Sequence, residues 1–236
     1  MQAIAPRPGD DVVEIGPGEG ALTLPLLREL GRMTVIELDR DLVPRLRAAA
    51  EGIGDLEIVG ADVLTVDFSA LRRQGPLRIV GNLPYNISSP ILFHCLDHID
   101  AIRDMHFMLQ KEVVDRMAAA PGSKVYGRLS VMLQLVCRVD PLLRVPPGAF
   151  RPPPKVDSAV VRLTPRAPSE RAFDDAALVA RVVKAAFGQR RKTLANALGE
   201  LASADAIRAA GIDPRTRAEQ LAPDAFVRLA ATIGRA

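Results

Sequence analysis

Leu77-Arg78-Ile79-Val80-Gly81-Asn82-Leu83-Pro84-Tyr85-Asn86 is the stretch around which the chain is organised. The apolar run from Leu77 to Val80 reads as a buried strand. It runs directly into a polar and aromatic corner, Asn82-Leu83-Pro84-Tyr85. In an open parallel sheet, ligands bind beyond the carboxyl ends of the strands. Asn82 and Tyr85 are therefore expected where the chemistry occurs. Asn82 offers an acceptor and a donor but no useful base. Pro84 fixes φ and stiffens the corner, and Tyr85 offers a flat face for stacking. The set suits holding a planar base that carries an amino group, and does not suit hydrolysis.

Outward from this strand, the first half alternates strands and helices. Strands are expected at Val12–Ile15, Met33–Ile36, Leu56–Val59, Leu77–Gly81 and Ile102–Leu109. Helices are expected from Leu22 to Leu30 with Gly31 as the stop, from Leu42 to Ala50, from about Ser89, and from Lys111 to Ala120. This rhythm predicts an α/β fold: a Rossmann-like, mostly parallel sheet with helices on both faces. The rhythm then changes. Leu129–Val139 and Leu142–Val145 are apolar with no obvious crossover between them, and Asp157–Leu163 alternates as a last strand. The sheet is expected to end in antiparallel strands. Beyond Thr164–Ser169 the pattern is helical from Asp174, with breaks at Gly199, Gly211–Pro214 and Pro223. Two domains are expected, 1–166 for the sheet and 167–236 for a small helical domain.

The composition, 48% hydrophobic and 25% charged, is that of a globular chain. No apolar run is long enough to span a bilayer and no signal peptide is evident. Cys95 and Cys137 match no metal or redox spacing, which points to a reducing cytoplasm. His94 and His98 stand four apart, but no third ligand beyond His106 suggests itself, so no metal is expected. The net charge of +3 is unevenly spread: residues 1–165 hold 19 Lys/Arg against 20 Asp/Glu, and residues 166–236 hold 12 against 8. Between Ala176 and Gly199, Arg181, Lys184, Arg190, Arg191 and Lys192 stand without an acidic residue. That asymmetry suggests a nucleic-acid contact.

Gly16-Pro17-Gly18-Glu19-Gly20-Ala21 fits the pattern G-x-G-x-x-A, with Glu37 21 residues after Gly16. Alone this is a weak dinucleotide fingerprint. Glu14 and Glu19 flank the loop, and carboxylates there would repel a pyrophosphate and favour a cationic ligand. S-adenosylmethionine carries both a sulfonium and an ammonium. Glu37 can accept from both ribose hydroxyls, and Asp62, at the end of the third strand, from an adenine amino group. Glu19 also fits a simpler role, meeting the positive end of the following helix.

Glu14-Ile15-Gly16-Pro17-Gly18, Glu37-Leu38-Asp39, Gly60-Ala61-Asp62 and Asn82-Leu83-Pro84-Tyr85-Asn86 resemble the motifs of adenine-N6 rRNA dimethyltransferases. Phe150–Ser158 resembles that family's motif before the last strand, and Phe187-Gly188-Gln189-Arg190-Arg191-Lys192-Thr193-Leu194 resembles the signature of its small-subunit branch. The resemblance covers nearly the whole chain. It implies S-adenosylmethionine-dependent dimethylation of two adjacent adenosines near the 3′ end of 16S rRNA in an assembling small subunit. It implies cofactor contacts at Gly16, Glu37, Asp62 and Asn82, with Gly18 in the same loop. It also implies an N-terminal arm with a Gln-x-Phe-Leu-type motif closing over the cofactor. Here the first strand begins at about Val12, so the arm is expected to be missing, and with it tight cofactor binding and full activity.

On this reading the amino protons of the target adenine bond to the Asn82 side-chain oxygen and the Leu83 carbonyl. That frees the N6 lone pair, and catalysis is positioning plus charge placement. The base must be unstacked or single-stranded. Tyr85 would stack on one face and Phe150 on the other, while Arg190, Arg191 and Lys192 grip phosphates. A monomer is expected. Three rivals remain: a large-subunit rRNA or DNA adenine-N6 methyltransferase, an assembly or transcription factor that has lost catalysis, and a nicotinamide dehydrogenase.

Overall fold

The computed structural model describes residues 1–235 apart from Pro152, Ala172 and Asp174. Pro152 of the Phe150–Ser158 motif and Asp174, the expected start of the helical pattern, thus lie outside the described residues, as does Ala236. The chain forms two compact units. One comprises Met1–Val114 and Asp140–Pro165; the other comprises Asp115–Val139 and Arg166–Ala236.

The first unit is built on a seven-stranded sheet: β1 (Val12–Ile15), β2 (Arg32–Ile36), β3 (Asp55–Val59), β4 (Leu77–Asn82), β5 (Ile102–Gln110), β6 (Cys137–Val145) and β7 (Ser158–Pro165). Their order across the sheet is β3-β2-β1-β4-β5-β7-β6. The pairs from β3 to β5 are parallel, and β7 runs antiparallel to β5. Chain order reverses between β1 and β4, which opens a crevice above their carboxyl ends. The helices α1 (Thr23–Leu30), α2 (Leu42–Ala50), α3 (Ser88–Asp97) and α4 (Lys111–Met117) follow β1, β2, β4 and β5. Leu26, Leu27 and Leu30 of α1 and Leu46 and Ala50 of α2 pack with Val12, Met33, Val35 and Val80 into one apolar core. Gly31 closes α1 in the left-handed region, donating its N–H to the Leu27 carbonyl.

Gly81 explains how β4 sits so close to β1. A Cβ there would lie 2.7 Å from the Ile15 carbonyl oxygen, so any side chain would push the strands apart just below the corner. At the other end of β4, Arg78 is buried. Its guanidinium bonds Asp104 at 3.1 Å and Asp10 at 2.7 Å, and donates to the carbonyl of Ile4 at 2.5 Å. A buried charge needs such partners, and these tie the N-terminal residues to the strand that carries the corner.

The second unit contains α5 (Arg128–Val136), α6 (Ala176–Gly188), α7 (Leu194–Leu198), α8 (Ala204–Ala209) and α9 (Pro223–Gly234). Tyr126, Val131, Val182, Val183, Phe226 and Leu229 belong to its core. The Asp175 carboxylate caps α6 through Leu178 N–H at 2.8 Å, and Ser203 caps α8. Leu129–Val139, read only as an apolar run, is helix as far as Val136: Leu129, Val131, Leu133 and Leu135 are all buried and alternate like a strand, so the helical period is hidden. The break expected at Pro223 falls where α9 starts, at the position where the missing N–H of proline costs nothing. Residues 115–139, expected in the sheet domain, cluster with the C-terminal helices. By these units the charge asymmetry sharpens. The sheet unit holds 15 Lys/Arg against 19 Asp/Glu, and the helical unit 16 against 9.

Candidate active site

The crevice at the β1–β4 switch holds a small cleft lined by Ile15, Gly16, Ile36, Glu37, Leu38, Ala61, Asp62, Val63, Pro84, Ile87 and Ile91. It thus joins the ends of β1, β2, β3 and β4 and the start of α3. Gly16 and Gly18 hold φ values of +66° and +57°, the left-handed region that only glycine enters freely. Gly16 N–H bonds the Ile36 carbonyl at 3.0 Å, and Gly18 N–H reaches the Glu37 carboxylate at 3.2 Å. The other Glu37 oxygen accepts Asp39 N–H at 2.9 Å. These bonds hold a carboxylate at 8% exposure in one orientation at the rim of the cleft. Asp62 is exposed at the opposite rim. One of its oxygens accepts Leu64 N–H at 3.0 Å, and the other has no protein partner among the described residues. No Lys or Arg lines the cleft.

Glu14 sits elsewhere: its side chain is 2% exposed and does not line this cleft. The Thr23 hydroxyl of α1 donates to it at 2.6 Å. Burial pushes its pKa up to about 7 against that hydrogen bond, and the neighbouring Glu37 carboxylate pushes the same way. Glu19 is exposed on the loop.

Asn82 ends β4 and is exposed, while Leu83 is 1% exposed and donates its N–H to the Met108 carbonyl of β5 at 3.1 Å. The buried leucine anchors the corner and lifts its neighbours to the surface. Pro84 is exposed and lines the cleft, so the corner and the cleft are continuous. Tyr85 is half-buried. Its hydroxyl lies 2.7 Å from Ser158 Oγ, and its carbonyl accepts from Ser88 Oγ at 3.2 Å. Phe150 is also half-buried, in the β6–β7 loop whose ends are tied by Arg144 to Asp157 at 2.6 Å. Neither ring stacks on another aromatic ring among the described residues.

In the helical unit, Arg190, Arg191 and Lys192 are exposed between α6 and α7. Arg190 is engaged within the unit: it pairs with Glu219 at 2.9 Å and donates to the Lys124 carbonyl at 2.5 Å. Arg191 and Lys192 have no side-chain partner among the described residues. His94 and His98 pack against Phe68, and His94 Nε2 lies 2.8 Å from the Val66 carbonyl. Among the described residues, no group of three His, Cys, Asp or Glu could hold a metal, and no helix is long and apolar enough to cross a membrane.

Residues 1–234 match the family described as "Ribosomal RNA adenine dimethylase". The chain belongs to that family. A "Ribosomal RNA small subunit methyltransferase A" of Xanthomonas campestris pv. campestris is 64% identical over 98% of this chain and 88% of its own length. The protein of the same name from Xanthomonas euvesicatoria is 63% identical over the same shares. Among solved structures, a dimethyladenosine transferase from Plasmodium falciparum matches with a TM-score of 0.83 at 26% identity, over 97% of this chain and 91% of that one. The 23S rRNA methyltransferase ErmE matches with a TM-score of 0.73 at 27% identity, over 99% and 94%.

The dimethylase family sets the reaction class: transfer of methyl groups from S-adenosylmethionine to adenine in ribosomal RNA. The cleft fits such a donor. Two oriented carboxylates, Glu37 and Asp62, suit hydroxyl and amino groups, and the absence of lining cations among the described residues disfavours a pyrophosphate. The sequence-predicted Gly16, Glu37, Asp62 and Pro84 come together here. Sequence reasoning missed the apolar walls Leu38, Val63, Ile87 and Ile91. Leu38 stands within the Glu37-Leu38-Asp39 motif just beyond a strand end, which is the one signal in the sequence that could have assigned it to the site.

Proposed function

We propose that this dimethylase modifies N6 of two adjacent adenosines near the 3′ end of small-subunit (16S) rRNA, acting as a cytoplasmic monomer on the assembling subunit. The observation that carries the reading is Asn82, exposed at the carboxyl end of β4 and continuous through Pro84 with the carboxylate-rimmed cleft. The names of relatives 64% and 63% identical support the choice of the small subunit. The exposed Arg191 and Lys192 support a polyanionic partner.

Glu37 and Asp62 would hold the cofactor's ribose and adenine, with Gly16 and Gly18 giving backbone access. Glu14, buried beneath the loop, would add negative charge near a cationic ligand only as pH rises through about 7. The bound cofactor supplies a methyl group on a sulfonium. The chain's own work falls on the target base. The two N6–H groups would donate hydrogen bonds to the Asn82 side-chain oxygen and the Leu83 carbonyl, turning the lone pair out of conjugation with the ring. Tyr85 and Phe150 stack on its faces, each contact worth about 1–3 kcal/mol. Each methyl gained leaves N6 positively charged, and one N6 proton is then lost to water, so no general base of strong basicity is required.

Tritiated methyl incorporation into purified unmethylated subunits tests the reading. Label is expected in small-subunit RNA as dimethyladenosine. Label in large subunits alone would move the protein to the specificity of its 23S-directed structural relative. Small-subunit binding with no label would make it an assembly factor.

A further inference from the structure

The Asn82–Tyr85 corner and the Phe150 loop meet at one hydrogen bond. Tyr85 lies beyond β4. Ser158 opens β7, the strand that the Phe150 loop feeds. The Tyr85 hydroxyl and Ser158 Oγ are 2.7 Å apart. Ser158 is fully buried, at 0% exposure, and its side chain has no other partner among the described residues. A buried hydroxyl without a partner is costly, so the pair is strongly specified. Neighbouring bonds hold both ends of it. Ser158 pairs with Gln110 across β5 and β7, Lys111 N–H bonds the Asp157 carbonyl at 2.9 Å, and Ser88 grips the Tyr85 carbonyl from α3.

The consequence for the ring follows from its geometry. A tyrosine has two side-chain torsions. Fixing its backbone at one end and its hydroxyl at the other fixes the first torsion and with it the direction of the ring axis; the hydroxyl lies on the axis of the second torsion, which the bond constrains only through the preference of a phenolic hydrogen bond for the ring plane. The place to which the Tyr85 ring extends is then set by β7, not by the flexibility of the corner.

We propose that Ser158 is a positioning residue for methyl transfer: its buried hydroxyl anchors the Tyr85 phenol and fixes where that ring lies, and in which direction its long axis runs, when it meets the target adenine. This rests on the reading of Tyr85 as a stacking platform. Because Ser158 directly follows the Arg144–Asp157 pair that closes the Phe150 loop, the same bond also ties the base of that loop to the corner. Ser158 touches neither substrate nor cofactor. It acts through Tyr85.

The test compares S158A, Y85F, the double variant S158A/Y85F and Y85A on unmethylated small subunits. Affinity for S-adenosylhomocysteine is measured alongside by calorimetry. S158A and Y85F are each expected to lower kcat/KM about 3- to 10-fold, the range for one lost hydrogen bond. Cofactor affinity should stay unchanged. The double variant should be no worse than either single one, because both remove the same bond. If S158A and Y85F losses multiply, or if S158A weakens cofactor binding as much as turnover, the proposal is overturned. It is overturned equally if S158A is as active as the parent while Y85A is crippled. Y85A at full activity would instead remove the stacking reading on which the proposal stands. Should S158A not accumulate, Y85F decides alone: parental kcat/KM rejects the anchor.

Discussion

Glu14 and Glu37 lie at 2% and 8% exposure in the sheet unit, whereas Arg181, Lys184, Arg191 and Lys192 lie exposed in the helical unit. The first unit has a net acidic balance and keeps these two carboxylates inside, with Asp62 exposed at its cleft. The second has a basic balance and keeps these four cations in solvent. Buried charge is held in one orientation by fixed bonds, such as Gly18 and Asp39 to Glu37, and acts on one ligand at one distance. Exposed charge is screened and works in sum, which suits a polyanion but gives little geometric precision.

The contrast can be broken or sharpened by three measurements. The largest effect is expected at Asn82, where geometry is everything. Asn82→Ala should lower kcat by roughly 10²–10³-fold, the scale for losing a preorganised polar contact at a reacting centre, while cofactor affinity falls far less. Equal losses in turnover and in calorimetric affinity would make Asn82 a cofactor-holding residue.

Next comes Glu14. Its raised pKa means that the folded chain holds a proton there which the unfolded chain releases near pH 4.5. The associated stability is present below that value and is lost as pH rises through about 7. Glu14→Gln removes this dependence. Its stability relative to the parent should improve by roughly 2–3 kcal/mol between pH 5 and pH 8.5. A constant difference in urea midpoints across that range would mean that Glu14 is ionised throughout.

The smallest effects belong to the basic loop, and they need not be shared equally. R191A/K192A should reduce the slope of log affinity against log salt for small subunits by about two. Adding R190A should change that slope little further, because Arg190 already pairs with Glu219 and the Lys124 carbonyl. A slope that falls only when Arg190 is removed would reverse that assignment.

Much of this was legible in the sequence. Val12–Ile15 and Leu42–Ala50 form with the expected ends, because a buried strand leading into a glycine loop and a helix of period 3.6 are local patterns. Gly16, Glu37, Asp62 and Asn82 were readable as strand-end residues because the parallel topology places all such ends on one rim. What was hidden depended on contacts across the chain. The Arg128–Val136 helix is packed on nearly every side, so no polar face betrays its period. The placing of residues 115–139 with the C-terminal helices rests on long-range bonds such as Gly122 N–H to the Glu219 carbonyl and Tyr126 to the Leu221 carbonyl. Glu14 was readable as a carboxylate near the loop, but not as one folded inward onto Thr23. The engagement of Arg190 was invisible for the same reason, since its partners lie 29 and 66 residues away.

The chain contains no tryptophan and only two tyrosines. Tyr85 stands half-buried in the sheet unit, and Tyr126 is fully buried in the helical unit with its hydroxyl on the Leu221 carbonyl. Each unit therefore carries a single tyrosine and no tryptophan. Burial drives the Tyr126 phenol to ionise later than an ordinary tyrosine, with Asp224 adding to the shift. The two tyrosines therefore stand in different surroundings, one half-buried and one fully buried. One reports from the corner where a base would stack, and the other from the packing of the helices, without a dye or an engineered probe.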